Sequence, residues 1–202
     1  MRALLFLLLC ASAILFVPTT LAQDDAAMST LRLLTDFTEA DVAPRWATVN
    51  DNVMGGRSVG GPTFTDETVV FAGATNTNGG GFSSIRTRPG DYDLGAYEGI
   101  ELRFRADGRT YEFEMYTGER AGGIPVVYRA SFRATAEGTW ETVRLPFTAF
   151  RASRFGRPLP SYRLDPARGR YVGLFVYDGQ DGPFRLEVDR ISAYQTENTA
   201  SY

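Results

Sequence analysis

Short segments in which apolar and polar residues alternate recur along the chain, and this period of two most constrains its fold. The run Ile100-Glu101-Leu102-Arg103-Phe104-Arg105 is one example, and Tyr111-Glu112-Phe113-Glu114-Met115 is another. Alternation over about four to eight residues is typical of β-strands with one buried face, whereas amphipathic helices repeat every ~3.6 residues. Because no helical pattern is longer than about two turns, the sequence predicts an all-β chain.

The dipeptide Asp107-Gly108 lies between these two runs. Asp-Gly flanked by alternating segments is a strong signal for a two-residue β-hairpin loop. The predicted register pairs the apolar residues of the two strands on one face: Phe104 with Tyr111, Leu102 with Phe113 and Ile100 with Met115. On the other face it places Arg103 opposite Glu112, a pairing that would add a few tenths of a kcal/mol.

Similar alternation predicts further strands over residues 68–72, 126–133, 140–145, 171–177 and 184–193. In the last of these the phase slips at Asp189-Arg190, which indicates a β-bulge. Strands bounded throughout by turn residues predict an antiparallel β-sandwich or jelly roll, formed by a single domain of residues 31–195. The Arg- and Pro-rich stretch 146–170 is interpreted as an irregular excursion with one helical turn near residues 147–150.

The N-terminal 22 residues have the pattern of a secretory signal peptide. Arg2 precedes an uncharged apolar run over residues 3–17, and Thr20-Leu21-Ala22 offers small residues for cleavage after Ala22. The sequence therefore predicts an exported protein, located in the periplasm or outside the cell. Residues 23–30 are predicted to be a flexible N-terminus and residues 196–202 a C-terminal tail. A membrane anchor in the same run, or a lipoprotein acylated at Cys10, are the alternatives.

Two absences restrict the chemistry of the chain. Cys10 is the only cysteine and lies within the predicted signal peptide, and there is no histidine. The processed chain would therefore have no disulfide, no thiolate metal site and no histidine-based catalytic triad. Every basic residue is arginine, and the net charge of -3 gives no electrostatic attraction to nucleic acid or anionic lipid. We predict a non-enzymatic protein with no cofactor, no metal, no nucleic-acid partner and no membrane span after cleavage.

Residues 46–58 and 76–86 are two segments that combine glycine with short polar side chains. Glycine permits close approach of the backbone, and Asn, Asp and Ser add side-chain hydrogen bonds, so the two segments are candidates for a polar binding pocket. The simpler interpretation is a pair of tight turns whose polar side chains bond to their own backbone. The candidate ligand- or partner-binding residues are Trp46, Asn50, Asp51, Asn52, Met54, Arg57, Ser58, Asn78, Ser83 and Arg86.

The same two segments carry a family resemblance, through VNDNVMGGRS at residues 49–58 and NGGGFSSIR at residues 78–86. Together with residues 99–103, 140–147 and 184–189, they resemble the mitochondrial complex I intermediate-associated protein 30 family over residues 33–194. The resemblance implies a galactose-binding-domain-like jelly roll. It also implies a chaperone-like role in assembling a protein complex, by binding subunits without catalysis. The predicted leader differs from a mitochondrial transit peptide, so the partner would be an envelope or respiratory-complex component.

A carbohydrate-binding module of the cell envelope is the alternative function on the same fold. Its sugar-stacking residues would come from Trp46, Tyr92, Tyr97, Tyr116, Tyr128, Tyr162 and Tyr177, of which Tyr116 and Tyr177 lie on or near a turn. Most aromatic residues are expected to fill the core instead. An enzyme that uses paired carboxylates is a weaker hypothesis, because sequence spacing alone does not place two carboxyl groups across a cleft.

Two charged groups also suggest ligands. The aspartates Asp91, Asp93, Asp178 and Asp181 suggest a calcium site, although residues 178–182 are explained more simply as a hairpin turn. The arginines Arg151, Arg154, Arg157 and Arg163 suggest an anionic partner, with a solvated loop as the simpler interpretation.

Overall fold

The computed structural model of the protein describes residues 29–39 and 42–196. The predicted all-β architecture is confirmed: the described chain forms two antiparallel sheets. The first strand begins at Ser29, two residues before the predicted start of the domain. The predicted signal peptide, most of the segment 23–30 and residues 197–202 lie outside the described residues.

The described residues form thirteen strands and four short 3₁₀ helices. The strands are β1 (Ser29–Thr35), β2 (Trp46–Asn50), β3 (Val59–Phe64), β4 (Val69–Thr75), β5 (Ser83–Thr87), β6 (Gly99–Ala106), β7 (Thr110–Ala121), β8 (Ile124–Arg133), β9 (Glu141–Pro146), β10 (Arg151–Arg154), β11 (Arg157–Pro158), β12 (Tyr171–Val176) and β13 (Gly182–Thr196). The 3₁₀ helices are Ala43–Arg45, Asp51–Met54, Phe147–Ala149 and Pro166–Arg168. No helix in the described part of the chain is long and apolar enough to cross a membrane.

The strands divide between a six-stranded and a seven-stranded sheet. The six-stranded sheet has the order β3-β4-β13-β6-β9, with β1 also pairing with β13, and the seven-stranded sheet has the order β11-β10-β8-β7-β12-β5-β2. The pairing of β13 with β6 shifts register between Val188 and Arg190. The bulge predicted at Asp189-Arg190 is therefore confirmed, and it explains why Val188 and Ile191 both face the core.

The predicted hairpin between β6 and β7 is wrong. The strand β6 pairs with β9 and β13, whereas β7 pairs with β8 and β12 in the other sheet. The turn at Asp107-Gly108 therefore carries the chain from one sheet to the other. The Asp107 carboxylate supports this crossing, because it accepts hydrogen bonds from Tyr111 Oη (2.9 Å) and Arg185 N (2.6 Å). On the outside of the six-stranded sheet, Arg103 pairs with Asp189 instead of Glu112.

The apolar residues of both predicted strands do face a common core, across the sandwich and not within one sheet. Residues such as Phe104 from β6 and Phe113 from β7 are almost completely buried. The Phe104 ring packs edge-to-face on Phe132 of β8, with ring centroids 5.0 Å apart. Burying each such side chain contributes about 1.5 to 3 kcal/mol, so these contacts hold the two sheets together.

The stretch 146–170 contains more regular structure than predicted. The helical turn expected near residues 147–150 is confirmed as the 3₁₀ helix Phe147–Ala149. The chain then forms a hairpin from β10 and β11, which lies at one edge of the seven-stranded sheet.

Candidate functional site

The two glycine-rich segments meet at the carboxylate of Asp51, which is completely buried. Its oxygens accept hydrogen bonds from Ser58 N (2.8 Å), Ser58 Oγ (2.6 Å) and Gly81 N (2.6 Å). Burial disfavours the charged form, but these hydrogen bonds outweigh it and hold the pKa of Asp51 below its ordinary value. Asp51 is thus an ionised internal clamp that joins residues 51–58 to residues 76–82.

Two glycines are required beside this clamp. A Cβ atom on Gly56 or on Gly80 would overlap with the side chain of Asp51. Gly56 also donates its N–H to the backbone carbonyl of Asp51 at 2.9 Å. The glycines of the motif therefore serve the close approach of two loops to one carboxylate, and they do not form a phosphate cradle.

Further hydrogen bonds extend this network to the neighbouring strands. Asn50 donates through Nδ2 to the carbonyl of Gly60 (3.0 Å) and accepts at Oδ1 from Ser83 Oγ (2.6 Å). Ser58 Oγ accepts from Asn76 N at 2.9 Å. Asn50, Asp51, Ser58 and Ser83 therefore use their side chains inside the protein. The bonds from Gly81 N, Ser83 Oγ and Asn76 N run between the two segments. Those from Ser58 to Asp51 stay within the first segment, as the simpler interpretation expected.

The other predicted site residues are distributed over three places. Asn52, Met54, Arg57 and Asn78 are exposed at the loop surface above the clamp, where the side chain of Val53 is 69% exposed and that of Met54 is 58% exposed. Trp46 is buried in the core, 5.8 Å from Phe37 between ring centroids. Arg86 projects from β5 on the face of the seven-stranded sheet that points away from the core. The structure therefore does not bring the ten residues into one pocket.

Arg86 belongs to a second cluster, on the outward face of the seven-stranded sheet. We call it the outer-face cluster and define it by five residues: Arg86 of β5, Glu114 of β7, Arg129 of β8, and Tyr171 and Phe175 of β12. Glu114 is only 1% exposed although it points away from the core. Its carboxylate lies 2.9 Å from Arg86 Nε and accepts hydrogen bonds from Arg129 Nε (2.6 Å) and Tyr171 Oη (3.1 Å).

Aromatic rings complete the outer-face cluster. The guanidinium carbon of Arg129 lies 3.9 Å from the ring centroid of Phe175, which is a close cation–π contact. The ring of Phe82 stacks on Phe175 with centroids 5.4 Å apart, and the ring of Tyr177 packs edge-to-face on Phe175 at 6.2 Å. Phe82 precedes Ser83 in the second glycine-rich segment. An aromatic row of Phe82, Phe175 and Tyr177 therefore leads from the loop end of the sandwich onto the outer sheet face.

The electrostatics of the cluster are those of a fixed, desolvated site. Burial and the neighbouring Glu114 carboxylate raise the pKa of Tyr171 above its ordinary value, so the phenol remains a neutral hydrogen-bond donor. Burial also raises the pKa of Glu112, an effect that Arg129 partly offsets. With Glu114 surrounded by two arginines and a phenol, the cluster presents two oriented guanidinium groups beside the half-buried ring of Tyr171 and the buried ring of Phe175. Such a surface can bind carboxylates, amides or hydroxyl groups.

The sequence pattern contained a signal for this cluster that our prediction did not use. Tyr171 and Phe175 of β12, and Tyr177 directly after it, occupy the phase opposite to the buried Val172 and Leu174. When a strand carries large apolar residues at both its odd and its even positions, both of its faces are covered by other groups. Glu114, Arg129, Tyr171 and Phe175 were missed because their proximity depends on strands β5, β12, β7 and β8 being adjacent.

Three of the four aspartates suggested as a calcium site have other partners. Asp178 forms an ion pair with Arg109 (Nε to Oδ2, 2.9 Å), and Asp181 accepts the N–H of Thr77 at 2.6 Å. Asp93 accepts the N–H of Gly95 at 3.1 Å. No group of three or more Asp, Glu, His or Cys side chains with metal-binding geometry occurs in residues 29–39 and 42–196.

The fold is similar to that of carbohydrate-binding modules. A family 11 carbohydrate-binding module of a cellulosomal cellulase from Clostridium thermocellum superposes with a TM-score of 0.62 at 16% identity, covering 83% of this chain and 95% of the module. An agarase superposes with a TM-score of 0.57 at 10% identity, covering 85% of this chain and 25% of the agarase. At these identities the likeness shows the fold alone, and it confirms the galactose-binding-domain-like sandwich.

Sequence comparison identifies the family. "Complex I intermediate-associated protein 30, mitochondrial" of Drosophila melanogaster is 27% identical, over 77% of this chain. The chain spans 60% of the length of that relative. The sequence model of the complex I intermediate-associated protein 30 family matches residues 35–188, which include both glycine-rich segments and the outer-face cluster. The chain therefore belongs to the complex I intermediate-associated protein 30 family.

Proposed function

We propose that this protein is a non-catalytic binding module that associates with an assembly intermediate of a multisubunit protein complex, through the outer-face cluster. The observation that carries the proposal is the arrangement of Arg86 and Arg129 around Glu114 on an outward sheet face. Membership of a family named for association with complex I intermediates supports a protein partner of the respiratory chain.

The cluster is suited to binding because its donors are oriented before a partner arrives. The Glu114 carboxylate lies 2.9 Å from Arg86 Nε, and the guanidinium carbon of Arg86 lies 5.7 Å from the ring centroid of Tyr171. The side chain of Arg86 is 23% exposed and that of Arg129 is 14% exposed, so both are accessible yet restrained. A partner that offers carboxylates or backbone carbonyls would gain hydrogen bonds without ordering flexible side chains.

The same contacts argue for binding and not catalysis. The chain has no histidine, and the buried carboxylate of Glu114 is engaged by two cations and a phenol. A general acid or base requires a proton that it can exchange with a substrate, and an ion-paired carboxylate is a poor candidate. We therefore propose that the cluster recognises a partner and catalyses no reaction.

The test is quantitative affinity capture of the tagged full-length protein from membranes of the native cell after mild cross-linking. We expect enrichment of a defined set of respiratory-complex subunits. The double variant Arg86→Gln/Tyr177→Ala should reduce that enrichment by about tenfold, since it removes a partly accessible guanidinium group and an exposed ring. The matched control is Arg190→Gln/Leu33→Ala, which removes an arginine and an exposed apolar residue from the six-stranded sheet.

Two results would contradict the proposal. The first is that no subunit of a multisubunit complex is enriched over an untagged strain. The second is that both double variants capture the same subunits equally well, which would locate the binding surface elsewhere. Circular dichroism and urea unfolding of each variant establish that the comparison is made between folded proteins.

A second candidate function is glycan binding, which the aromatic row favours. Aromatic faces beside fixed polar groups are the features that stack and orient sugar rings, and Tyr177 is 55% exposed. The similar solved structures include carbohydrate-binding modules by name. A glycan array followed by calorimetry distinguishes the two functions: binding of an oligosaccharide that Tyr177→Ala abolishes would replace the protein-binding proposal.

Location is part of the same proposal. The predicted signal peptide would place the module outside the cytoplasm, whereas the Drosophila relative is named as mitochondrial. We propose export on the pattern of residues 1–22. Fusion of these residues to alkaline phosphatase should yield an active reporter, and N-terminal sequencing of the secreted product should begin at Gln23. An inactive reporter would favour a cytoplasmic location.

A further inference from the structure

The hairpin of β10 and β11 ends in an exposed phenylalanine with an unfavourable backbone conformation. Arg154 pairs with Arg157, so Phe155 and Gly156 form a two-residue loop, with φ angles of 48° and 73°. Positive φ at both positions favours Asn or Gly, and a bulky residue at the first position is uncommon. Phe155 is nevertheless 73% exposed, the highest exposure among the large hydrophobic residues of the described chain. Its side chain contributes neither to the turn nor to the core.

Arg154 and Arg157 flank this tip, Arg151 and Arg163 lie farther back beside Pro158, and none of the four has a carboxylate partner among the described residues. Arg154 donates to the carbonyl of Ala121 (3.1 Å), Arg151 to that of Thr148 (2.7 Å) and Arg163 to that of Tyr162 (3.0 Å). Arg157 is exposed at the base of the loop. None of these four arginines forms an ion pair within the described residues. By contrast, the arginines of β6, including Arg103 and Arg105, have carboxylate partners.

Positive charge is concentrated in this part of the chain. Residues 146–170 contain six arginines and one acidic residue, Asp165, although the whole chain carries a net charge of -3. Four of the six are the arginines named above, whereas Arg170 lies beside β7, where its N–H donates to the carbonyl of Tyr116. Asp165 itself accepts a hydrogen bond from Ala167 N and so caps a local turn. The net charge alone predicted no attraction to anionic lipid. It averages over the surface and does not describe this edge of the seven-stranded sheet.

We propose that the tip of the β10–β11 hairpin is a docking element for an anionic lipid bilayer, with Phe155 inserted at the interface and Arg154 and Arg157 on the headgroup phosphates. The spacing of these groups along the hairpin fits insertion of the ring to the depth of the lipid headgroups. Arg154 and Arg157 lie within one or two residues of Phe155, about 3 to 7 Å along a strand. An interfacial apolar group reaches about 5 to 10 Å into the headgroup boundary, where arginine also remains in contact with phosphate.

The neighbouring surface leaves the tip accessible. The turn between β7 and β8 lies beside Arg154 and contains Gly122 and Gly123, which have no side chains to obstruct Phe155. A protruding apolar side chain flanked by arginines fits a fluid bilayer, because a bilayer accommodates an isolated side chain without a preformed pocket. An acidic protein segment is the competing partner, and it would require the arginines but not an inserted ring. The inference does not depend on the proposed function of the outer-face cluster.

The test is co-sedimentation of the full-length protein, after any native processing, with phosphatidylcholine vesicles that contain or lack phosphatidylglycerol. We expect salt-sensitive binding only to the anionic vesicles. Phe155→Asn retains a residue that suits the left-handed turn and should weaken binding by about tenfold, through loss of the apolar contact. Arg154→Gln/Arg157→Gln should weaken it by about fivefold per arginine. Phe155→Trp should bind and show a blue-shifted emission with vesicles, relative to the parent protein.

Three outcomes would overturn the inference. One is that the parent protein does not bind anionic vesicles at low salt. Another is that Phe155→Asn binds them as well as the parent does. The third is binding to poly-L-glutamate that requires the arginines but not Phe155, in the absence of vesicle binding, which would identify an acidic protein segment as the partner. The vesicle-binding inference is independent of the affinity-capture experiment on the outer-face cluster, and a negative result in that experiment would not contradict it.

Discussion

The carboxylate of Glu114 accepts a hydrogen bond from Arg129 Nε at 2.6 Å on the face of a sheet that points away from the core. This pair, closed by Arg86 and Tyr171, buries a negative charge where an ordinary sandwich exposes polar residues to water. A buried charge is tolerated only when its partners surround it, so the geometry of the cluster depends on Glu114.

Glu114→Gln should destabilise the protein by about 2 to 3 kcal/mol, because the substitution preserves the shape of the side chain but leaves two partly buried arginines without their counterion. Urea unfolding monitored by circular dichroism measures the change. The control is Glu112→Gln on the same strand face, where the carboxylate is 3.8 Å from Arg129 and 28% exposed. It should cost less than about 1 kcal/mol. Equal losses for both variants would refute the central role of Glu114.

Asp51→Asn should destabilise the protein by about 2 to 3 kcal/mol. The Asp51 carboxylate acts only as an acceptor in its three hydrogen bonds. In the variant, the amide NH₂ group of Asn would face one of these donors in a buried site and leave it without an acceptor. Asn52→Asp, an exposed neighbour in the same 3₁₀ helix, is the matched control and should be within about 0.5 kcal/mol of the parent. A neutral effect of Asp51→Asn would show that the loops are held by other contacts.

The pH dependence of stability provides a separate test of Asp51. Its pKa is lower in the folded protein than in the unfolded chain, so its stabilising contribution is complete above the unfolded pKa of about 4 and is lost as the pH falls through the folded value. The parent protein should therefore lose stability below pH ~4 more steeply than Asp51→Asn does. Parallel unfolding curves from pH ~2 to ~6 measure the difference, and identical slopes would contradict the assignment.

Phe155→Asn should increase stability by about 0.5 to 1 kcal/mol, because asparagine adopts the left-handed conformation with less strain than phenylalanine does. Thermal and urea unfolding of the variant measure this gain. Phe155→Ala, which removes the ring but retains a Cβ that disfavours the left-handed region, should show little or no gain. Destabilisation by Phe155→Asn would mean that the ring makes a structural contact.

Engineered disulfides can test the assignment of β6 and β7 to different sheets. Arg103 and Thr142 are directly opposed across β6 and β9. Cysteines at these two positions should oxidise to a disulfide in the folded protein, as shown by a mobility shift on non-reducing gels. Cysteines at Arg103 and Glu112, which a hairpin would pair, should remain reduced because they lie in different sheets. Oxidation of the second pair but not of the first would show that β6 and β7 form a hairpin within one sheet.

The sequence alone determined which residues of each strand face the core. Alternation indicated the burial of Phe104 and Phe113, and the phase slip at Asp189-Arg190 indicated a bulge, because side-chain direction follows from a local period of two. The ordered motif around Asp51 was equally visible, since its residues are contiguous. These properties depend on neighbours in the chain.

Tertiary structure decided which strands are adjacent and therefore which polar residues meet. The same alternation is satisfied whether β6 and β7 pair within one sheet or face each other across the core, so the turn at Asp107-Gly108 was assigned incorrectly. Arg86 and Glu114 are brought together only because β12 lies between β5 and β7. Contacts between residues distant in sequence depend on the global packing of two sheets, and a pattern with a period of two contains no information about that order.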